Sequence, residues 1–268
     1  MFVFTSCQKE GQYLPKKKIT RIERTTGFFP EIEEWEWNGK LLSKITTSID
    51  SGDVISIISF KYDSKNRVES MLYDGITMAT HYQFIYDGNQ LVKIVRQEDG
   101  SESQDAYTFK REGKQVVEVT VAPVESKALA EVNVLRYILP YEVAEQIKPS
   151  DTKSVMTYKL TWDGKNIRHM DAYTNDVLGM EYDWNYDNKI NPFCGLFTNQ
   201  SLRYYSNLYS TNNATGVIMK VVNIPGFEST STSTYEYEYD GKYPVKCTKK
   251  TTSTLGTNSE NVEKYYYE

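Results

Sequence analysis

Five carboxylates stand close together in one stretch of the chain, at Asp171, Asp176, Glu181, Asp183 and Asp187. Glu181 and Asp183 are two residues apart, so they share one face if the segment is a strand. Two carboxylates on one face can hold a calcium ion or act as the general acid and base of a glycoside hydrolase. The competing interpretation, which we favour, is a solvated face opposite Tyr182, Trp184 and Tyr186, because alternating charges are typical of the exposed side of a sheet.

Other catalytic chemistry finds little support in the sequence. The two histidines, His81 and His169, lie in no recognisable nucleophile turn, and we interpret them as structural or surface residues. Cys194 and Cys247 have no second Cys or His near them, which excludes the usual zinc spacings. The sequence also contains no glycine-rich phosphate loop. We therefore predict no enzymatic activity, no metal and no cofactor.

Aromatic rows offer a second kind of binding site, because Trp and Tyr rings stack on sugars or line an apolar channel. Three pairs have the spacing of one strand face, namely Trp35 with Trp37, Trp184 with Tyr186, and Tyr235 with Tyr237. We take these six residues as candidate ligand-binding residues, with a glycan or a lipid as the candidate ligand. The alternative is the core face of a sheet, where large aromatic residues are found more often.

The chain begins with a short apolar stretch that ends at a cysteine. Residues 1–6 are followed by Cys7, and polar residues begin at Gln8. This switch resembles the lipobox of bacterial lipoproteins, in which the cysteine becomes N-terminal after cleavage and is acylated. We predict lipidation at Cys7, with residues 1–18 as a signal remnant and tether and residues 19–268 as one domain. Several acyl chains on one cysteine would hold the protein at a membrane.

Composition narrows the class of protein further. Lys and Arg number 31 and Asp and Glu 36, with both signs spread along the 268 residues, which disfavours nucleic acid as a partner. No run approaches the roughly 18 apolar residues of a membrane-spanning helix. The 22 Tyr, 10 Phe and 4 Trp favour strands. After export, Cys194 and Cys247 could form a disulfide, but two separate thiols are the preferred interpretation.

One sequence motif recurs along the chain, and we call it the repeated phrase. An aromatic residue is followed by Asp or Asn, then by a turn residue, then by Lys, Asn or Gln, and then by an alternating apolar run. The phrase begins at Trp37, Tyr62, Tyr86, Trp162, Tyr186 and Tyr239, with a weaker copy at Phe109. Asn-Gly and Asp-Gly supply the positive φ angles of a two-residue hairpin turn. The period near 24 residues holds two strands, one tight turn and one looser return turn.

The sequence therefore predicts an all-β fold, a large antiparallel meander of about 15 strands. A sheet of this size must curve strongly or partly close to cover its apolar face. The predicted strands are 19–25, 41–47, 54–62, 67–73, 78–86, 91–97, 107–110, 116–121, 155–162, 167–173, 178–186, 217–222, 232–239, 245–252 and 262–267. Two insertions, 122–150 and 191–216, interrupt the pattern. We expect a short helix only in the first, a loop-like second, and both to plug or cover the sheet.

The repeated phrase resembles the YD repeats of rearrangement-hotspot proteins. Together with Asn191-Pro192-Phe193-Cys194-Gly195-Leu196 and Tyr209-Ser210-Thr211-Asn212-Asn213, it is similar to an uncharacterised family of secreted lipoproteins from Gram-negative gut anaerobes, from about Trp35 onward. The resemblance implies an outer-membrane-associated lipoprotein, on the periplasmic or surface side, with a porin-like antiparallel sheet. It implies no activity and supplies no catalytic residues.

Three functions remain open from the sequence. The first is a non-enzymatic, membrane-tethered scaffold that binds an unknown ligand or partner in the cell envelope. The second is an envelope enzyme such as a glycoside hydrolase, which requires Glu181 or Asp183 to face a deep cleft. The third is an integral outer-membrane barrel, which requires an apolar band facing lipid. Lys93 and Arg96 fall on opposite faces of one predicted strand, which disfavours that band.

Overall fold

The computed structural model describes residues 10–26, 29–124, 154–198, 205–223 and 228–268. These residues form sixteen strands and one short helix. Cys7 lies outside the described residues. The strands are β1 (Ile19–Thr26), β2 (Phe29–Asn38), β3 (Leu41–Ile49), β4 (Val54–Tyr62), β5 (Val68–Gly75), β6 (Ala79–Asp87), β7 (Gln90–Glu98), β8 (Gln104–Glu112), β9 (Gln115–Pro123), β10 (Met156–Asp163), β11 (Asn166–Thr174), β12 (Val177–Tyr186), β13 (Ala214–Val221), β14 (Ser229–Asp240), β15 (Tyr243–Ser253) and β16 (Asn258–Tyr267), and the helix is α1 (Tyr205–Tyr209).

The strands form one closed antiparallel barrel. Each strand pairs with the next along the chain, and β16 pairs with β1, so the sheet has no free edge. The predicted all-β meander is confirmed. The barrel has sixteen strands rather than about 15, because β2 was not predicted as a strand, and it closes fully rather than in part.

Turns of two kinds alternate and give the barrel two different ends. The repeated phrase forms the tight turns, in which Gly39, Gly88, Gly113, Gly164 and Gly241 adopt φ between 57° and 62°. We call this the tight-turn end; β1 starts and β16 finishes there. The looser turns, such as 50–53, 99–103 and 254–257, lie at the opposite return-turn end.

The aromatic residue of each phrase points into the barrel and ties neighbouring strands together. The pairing with the next strand shifts just before it: Lys61 pairs with Ser70 and Tyr62 with Val68, so the extra residue of the bulge lies in β5. In five of the phrases the polar atom of the aromatic residue donates to a backbone carbonyl at the start of the preceding strand, whereas the hydroxyl of Tyr239 donates to the carboxylate of Asp187. The five bonds to carbonyls are Trp37 to Ile19 (2.7 Å), Tyr62 to Leu42 (2.7 Å), Tyr86 to Val68 (2.8 Å), Trp162 to Val116 (2.8 Å) and Tyr186 to Ile167 (2.7 Å).

The weak copy of the repeat is built differently from the sequence assignment. The pairing of β8 shifts between Lys110 and Arg111, so Arg111 rather than Phe109 occupies the position of the aromatic residue. Its Nη2 and Nε donate to one carboxylate oxygen of Glu10, at 2.8 Å and 3.2 Å respectively. The other oxygen of Glu10 accepts the backbone N–H of Leu91, at the start of β7, at 2.7 Å. An ion pair therefore makes the link that a Tyr or Trp makes elsewhere.

The hydrophobic core lies inside the barrel. Along β6, Thr80, Tyr82 and Phe84 are buried, whereas His81 and Gln83 between them are exposed. The same alternation in β14 turns Tyr235, Tyr237 and Tyr239 inward and Glu236 and Glu238 outward. The barrel is thus apolar within and polar outside, which is the arrangement of a protein that buries its core away from water.

We predict that Tyr62→Phe destabilises the barrel by about 1–2 kcal/mol, because the carbonyl of Leu42 loses its partner inside the wall. Tyr266→Phe is the matched control. Tyr266 is 42% exposed and its hydroxyl donates to Glu23 on the outer surface, so the change should cost at most about 0.5 kcal/mol. Urea unfolding measures both variants, and equal losses would contradict the role given to the Tyr62 hydroxyl.

Candidate functional site

Residues 10–18, which we call the strap, cross the tight-turn end of the barrel. The strap begins at Glu10, whose carboxylate binds Leu91 of β7 and Arg111 of β8. The carbonyl of Gly11 then accepts the N–H of Val68 in β5 at 2.8 Å. Gln12 donates to the carbonyl of Lys65 at 2.7 Å. Lys17 and Lys18 end the strap beside Asp240 and Glu268, at 2.8 Å and 2.6 Å. This part of the predicted tether is therefore packed against the domain.

Two strap residues fix its path. Gly11 has φ of 75°, and a Cβ there would lie 2.0 Å from the hydroxyl oxygen of Tyr86, so no side chain fits. Tyr13 is 2% exposed, its ring stacks on Trp37 with centroids 5.9 Å apart, and its hydroxyl donates to the carbonyl of Pro192 at 2.7 Å. The strap is thereby joined both to the wall and to the segment that fills the barrel.

Residues 187–198 and 205–213, which we call the plug, occupy the interior of the barrel. The plug enters from the tight-turn end between β12 and β13. Its rings contact inward-facing rings of distant strands: Phe193 with Trp35 and Tyr265, Phe197 with Phe84, Tyr205 with Tyr158, and Tyr209 with Trp162. Because β2 and β10 lie opposite each other in the ring of sixteen strands, the plug reaches across the barrel.

The Asn-Pro-Phe element shapes the plug. Asn191 is 7% exposed, and its amide nitrogen donates to the carbonyls of Asn207 and Ser210 at 2.9 Å and 2.8 Å. Its amide oxygen accepts the N–H of Phe193 at 3.0 Å. The insertion expected to be loop-like contains α1, while the one expected to hold a helix, 122–150, lies almost wholly outside the described residues.

The candidate ligand-binding aromatics all face inward. Trp35 and Trp184 are buried, and Trp37, Tyr186, Tyr235 and Tyr237 are half-buried and pack against the core. Tyr182 stacks on Trp184 at 5.5 Å and Tyr235 on Tyr237 at 6.5 Å between ring centroids. The six residues therefore do not form a platform on the outer surface; they line the interior around the plug.

The fold separates two of the five carboxylates that could do chemistry from the other three. Asp176 lies in a return turn, whereas Asp187 lies at the tight-turn end and accepts the hydroxyl of Tyr239. Asp171, Glu181 and Asp183 lie on the outer wall of β11 and β12. Glu181 is 4.0 Å from the ammonium of Lys220.

His169 lies on the same outer wall between two of these carboxylates. Its Nε2 is 2.9 Å from Asp171 and its Nδ1 is 2.9 Å from Asp183. Burial alone would lower the pKa of His169, but the hydrogen bonds and charges of Asp183 and Asp171 outweigh it, so the pKa is raised above its ordinary 6.5. The arrangement favours an imidazolium held between two carboxylates. His81, by contrast, lies in the open beside Asp99, at 2.8 Å.

The two described cysteines are not joined by a disulfide. The thiol of Cys194 donates to the carbonyl of Tyr209 at 3.9 Å, and Cys247 is buried in β15. Burial raises the pKa of Cys194 to about 11 and that of Cys247 to about 12, so both are protonated at neutral pH and poor nucleophiles.

Two clusters of charged side chains inside the barrel were not expected from the sequence. Arg24 of β1 binds Glu33 of β2 and, at 3.0 Å, Glu263 of β16. Arg96 of β7 binds Asp105 of β8 at 2.8 Å and also Glu98. Inward glutamates interrupt the alternating apolar pattern of their strands. The sequence of one strand does not show that an arginine on another strand binds them, so these ion pairs could not be predicted from the pattern.

Among the described residues no group of three or more His, Cys, Asp or Glu side chains has an arrangement that could hold a metal ion. Over the same ranges, no helix combines the length and the hydrophobicity needed to cross a membrane.

Comparison with known proteins identifies the fold. No protein family and no curated protein matches the chain by sequence. Among solved structures, the chain is similar to a porin-like protein from Bacteroides uniformis, with a TM-score of 0.55 and 12% identity over 97% of this chain and 100% of the other. The chain is also similar to a porin-like protein from Bacteroides vulgatus, with a TM-score of 0.55 and 9% identity over 94% of this chain and 99% of the other. The porin-like fold implied by the resemblance is thus confirmed, while lipidation and the kinship with YD repeats stay predictions.

We expect Phe197→Ala in the plug to destabilise the protein by about 3–5 kcal/mol, because its ring, 4% exposed, packs edge-on against Phe84 of the wall. Ile85→Ala is the control, since Ile85 neighbours Phe84 in β6 but faces outward and is 38% exposed. Thermal and urea unfolding measure the difference. A small loss for Phe197→Ala would mean that the plug does not support the barrel.

The raised pKa of His169 predicts a pH-dependent contribution to stability. The contribution is complete below the pKa of the unfolded chain, near 6.5, and is lost as the pH rises through the higher pKa of the folded state. The difference in unfolding free energy between the wild type and His169→Asn should therefore be largest at acidic pH. In an Asp171→Asn, Asp183→Asn background the same substitution should lose this dependence, and an unchanged profile there would refute the assignment.

Proposed function

We propose that the protein is a porin-like barrel of the Gram-negative cell envelope that stands in water, is tethered to the outer membrane through Cys7, and acts as a non-enzymatic binding scaffold. The main support is the polarity of the wall. Membrane barrels turn apolar side chains outward over a band about 25 Å tall and polar ones inward. In this barrel, the core of aromatic and aliphatic residues is inside.

Charged residues lie on the outward side of strands all around the wall. In β7, Lys93 is outward while Arg96 is buried inside, 7% exposed. An Arg or Lys on the lipid face costs about 2–4 kcal/mol near the bilayer midplane. Outward charged residues are Glu34, Lys44, Lys61, Lys93, Lys110, Glu118, Lys159, Glu181, Lys220, Glu236, Lys246 and Lys264. Inserting this wall in a bilayer would expose many such charges to lipid.

The filled interior supports a scaffold rather than a pore. The plug reaches from β2 and β16 to β6 and β10, and the strap lies over the same end. A solute could pass only by displacing buried rings such as Tyr205 and Phe197, which are 0% and 4% exposed.

The return-turn end is the surface best suited to a partner. Its exposed aliphatic side chains are Val54, Ile76, Met78, Val155, Val177 and Leu255, and Ile76 is 78% exposed. Its described turns carry the carboxylates Asp50, Asp53, Asp99, Glu102, Asp176 and Glu228 and no Lys or Arg. This combination of charge and apolar surface favours a protein partner with a basic, partly apolar surface.

An integral outer-membrane barrel is the second candidate function. The observation in its favour is the fold comparison, since a closed sixteen-strand barrel similar to two porin-like proteins matches that alternative better than an open binding sheet. The two candidates share the architecture and differ in what surrounds the wall.

The glycoside hydrolase alternative requires a deep cleft around Glu181 or Asp183. Both point outward, with side-chain exposures of 30% and 41%, and they lie beside Lys220 and His169. That alternative stays a prediction without an assigned site.

The test is to express the chain from Cys7 onward behind a bacterial lipoprotein signal sequence and to fractionate the cells. We expect the acylated protein in the outer membrane, and the Cys7→Ala variant, exported by a secretory signal, soluble without detergent. The charged wall accounts for the second result.

An integral barrel gives the opposite pattern. Cys7→Ala would then remain in the membrane after alkaline carbonate washing, and the purified protein would conduct ions in a planar lipid bilayer. Either result would overturn the proposal. The Cys247→Ala variant, made in parallel, controls for loss of a thiol elsewhere in the chain.

A further inference from the structure

The tight-turn end and the return-turn end differ in charge. Each repeated phrase places a lysine or a polar residue directly after its turn glycine or turn Asp, so lysines collect at the tight-turn end. They are Lys40, Lys65, Lys114, Lys165, Lys189 and Lys242, and Lys16 of the strap joins them. The described return turns, in contrast, carry six carboxylates and neither Lys nor Arg.

Several carboxylates of the tight-turn end are already neutralised by fixed partners. Glu10 binds Arg111, and Asp63 binds Arg67. Asp240 and Glu268 bind Lys17 and Lys18 of the strap. Asp87, Glu112 and Asp163 are also exposed at this end, but the seven lysines outnumber these three carboxylates. The end therefore presents a net positive charge to its surroundings, which suits an anionic surface.

The chain that precedes the strap starts at the same end. Glu10 is fixed between β7 and β8 by Arg111 and the N–H of Leu91. Cys7 lies three positions before Glu10, so a fully extended chain allows the cysteine to lie at most about 11 Å away. Strands of this length, tilted as in barrels, put the return-turn end roughly 25 Å further off.

We infer that the barrel stands on the bilayer with its tight-turn end facing anionic lipid headgroups, so that its return-turn end points away from the membrane. This inference rests on the proposed tether at Cys7. The short linker holds the tight-turn end at the lipid surface, the turn lysines are attracted to it, and the acidic return turns are repelled. The aliphatic rim around Ile76 and Leu255 is then left free for a partner.

The experiment uses the acylated full chain in vesicles that contain phosphatidylglycerol and a lipid with a nitroxide on its headgroup. Cys194 and Cys247 are replaced by Ser, and one fluorophore is attached to a new cysteine at an exposed turn position. Lys40→Cys and Lys242→Cys report on the tight-turn end, and Asp53→Cys and Thr257→Cys on the return-turn end.

We expect about threefold or greater quenching at Lys40→Cys and Lys242→Cys relative to the other pair, because the two ends are roughly 25 Å apart and nitroxide quenching is short-ranged. Equal quenching at both ends, or stronger quenching at Asp53→Cys and Thr257→Cys, would overturn the orientation. The second of these outcomes would mean that the aliphatic rim enters the lipid. If the core variants Cys194→Ser and Cys247→Ser reduce folding, Ala replaces Ser at both positions.

Failure of the tether and failure of the orientation give different results. Vesicle flotation and the mass of the N-terminal peptide report acylation and membrane attachment. Protein that is not acylated, or does not float with the vesicles, contradicts the tether. Protein that floats but shows the wrong quenching pattern contradicts only the orientation.

Discussion

A barrel of sixteen strands is wider than its own inward side chains can fill, and the rest of the structure depends on this constraint. Eight strands enclose a space that side chains can pack, whereas sixteen leave a channel. Here the inward side chains are largely apolar, and a water-filled channel would expose them. The interior must therefore be filled by other parts of the chain, and the plug and the strap supply that material.

The plug can do so because its rings meet rings of the wall on several sides. Phe193 packs against rings of β2 and β16, Phe197 against a ring of β6, and Tyr205 and Tyr209 against two rings of β10. Aromatic side chains cover a large area with few rotatable bonds, so they span a wide lumen at low cost in entropy. In each of the two ion networks formed by Arg24 and Arg96, the inward arginine binds a carboxylate of a neighbouring strand.

The sequence was informative where structure depends on neighbours along the chain. Asp-Gly and Asn-Gly fixed the hairpin turns, and the alternation of Tyr with Glu in β14 told its two faces apart. The same reasoning missed β2, because Glu31, Glu33, Glu34 and Glu36 occupy both of its faces. Glu33 is tolerated inside only because Arg24 of β1 binds it. It also assigned the weak repeat to Phe109, since an arginine in the place of an aromatic residue is recognisable only through its partner Glu10.

Local sequence patterns could not predict the closure of the barrel or the arrangement of the candidate site. The pairing of β1 with β16 joins residues almost a full chain length apart, and no turn connects them. The aromatic pairs predicted as ligand-binding residues share a strand face within each pair, as expected, but which face is inside follows only from closure. Closure also gives the barrel two chemically different ends. Turns of the repeated phrase alternate with return turns along the chain, so in a closed meander every turn of the phrase must lie at the same end. Because the repeated phrase carries a lysine in most of its copies, that end becomes basic. The clustering of these lysines follows from the repeat and from closure, and needs no tertiary contact of its own.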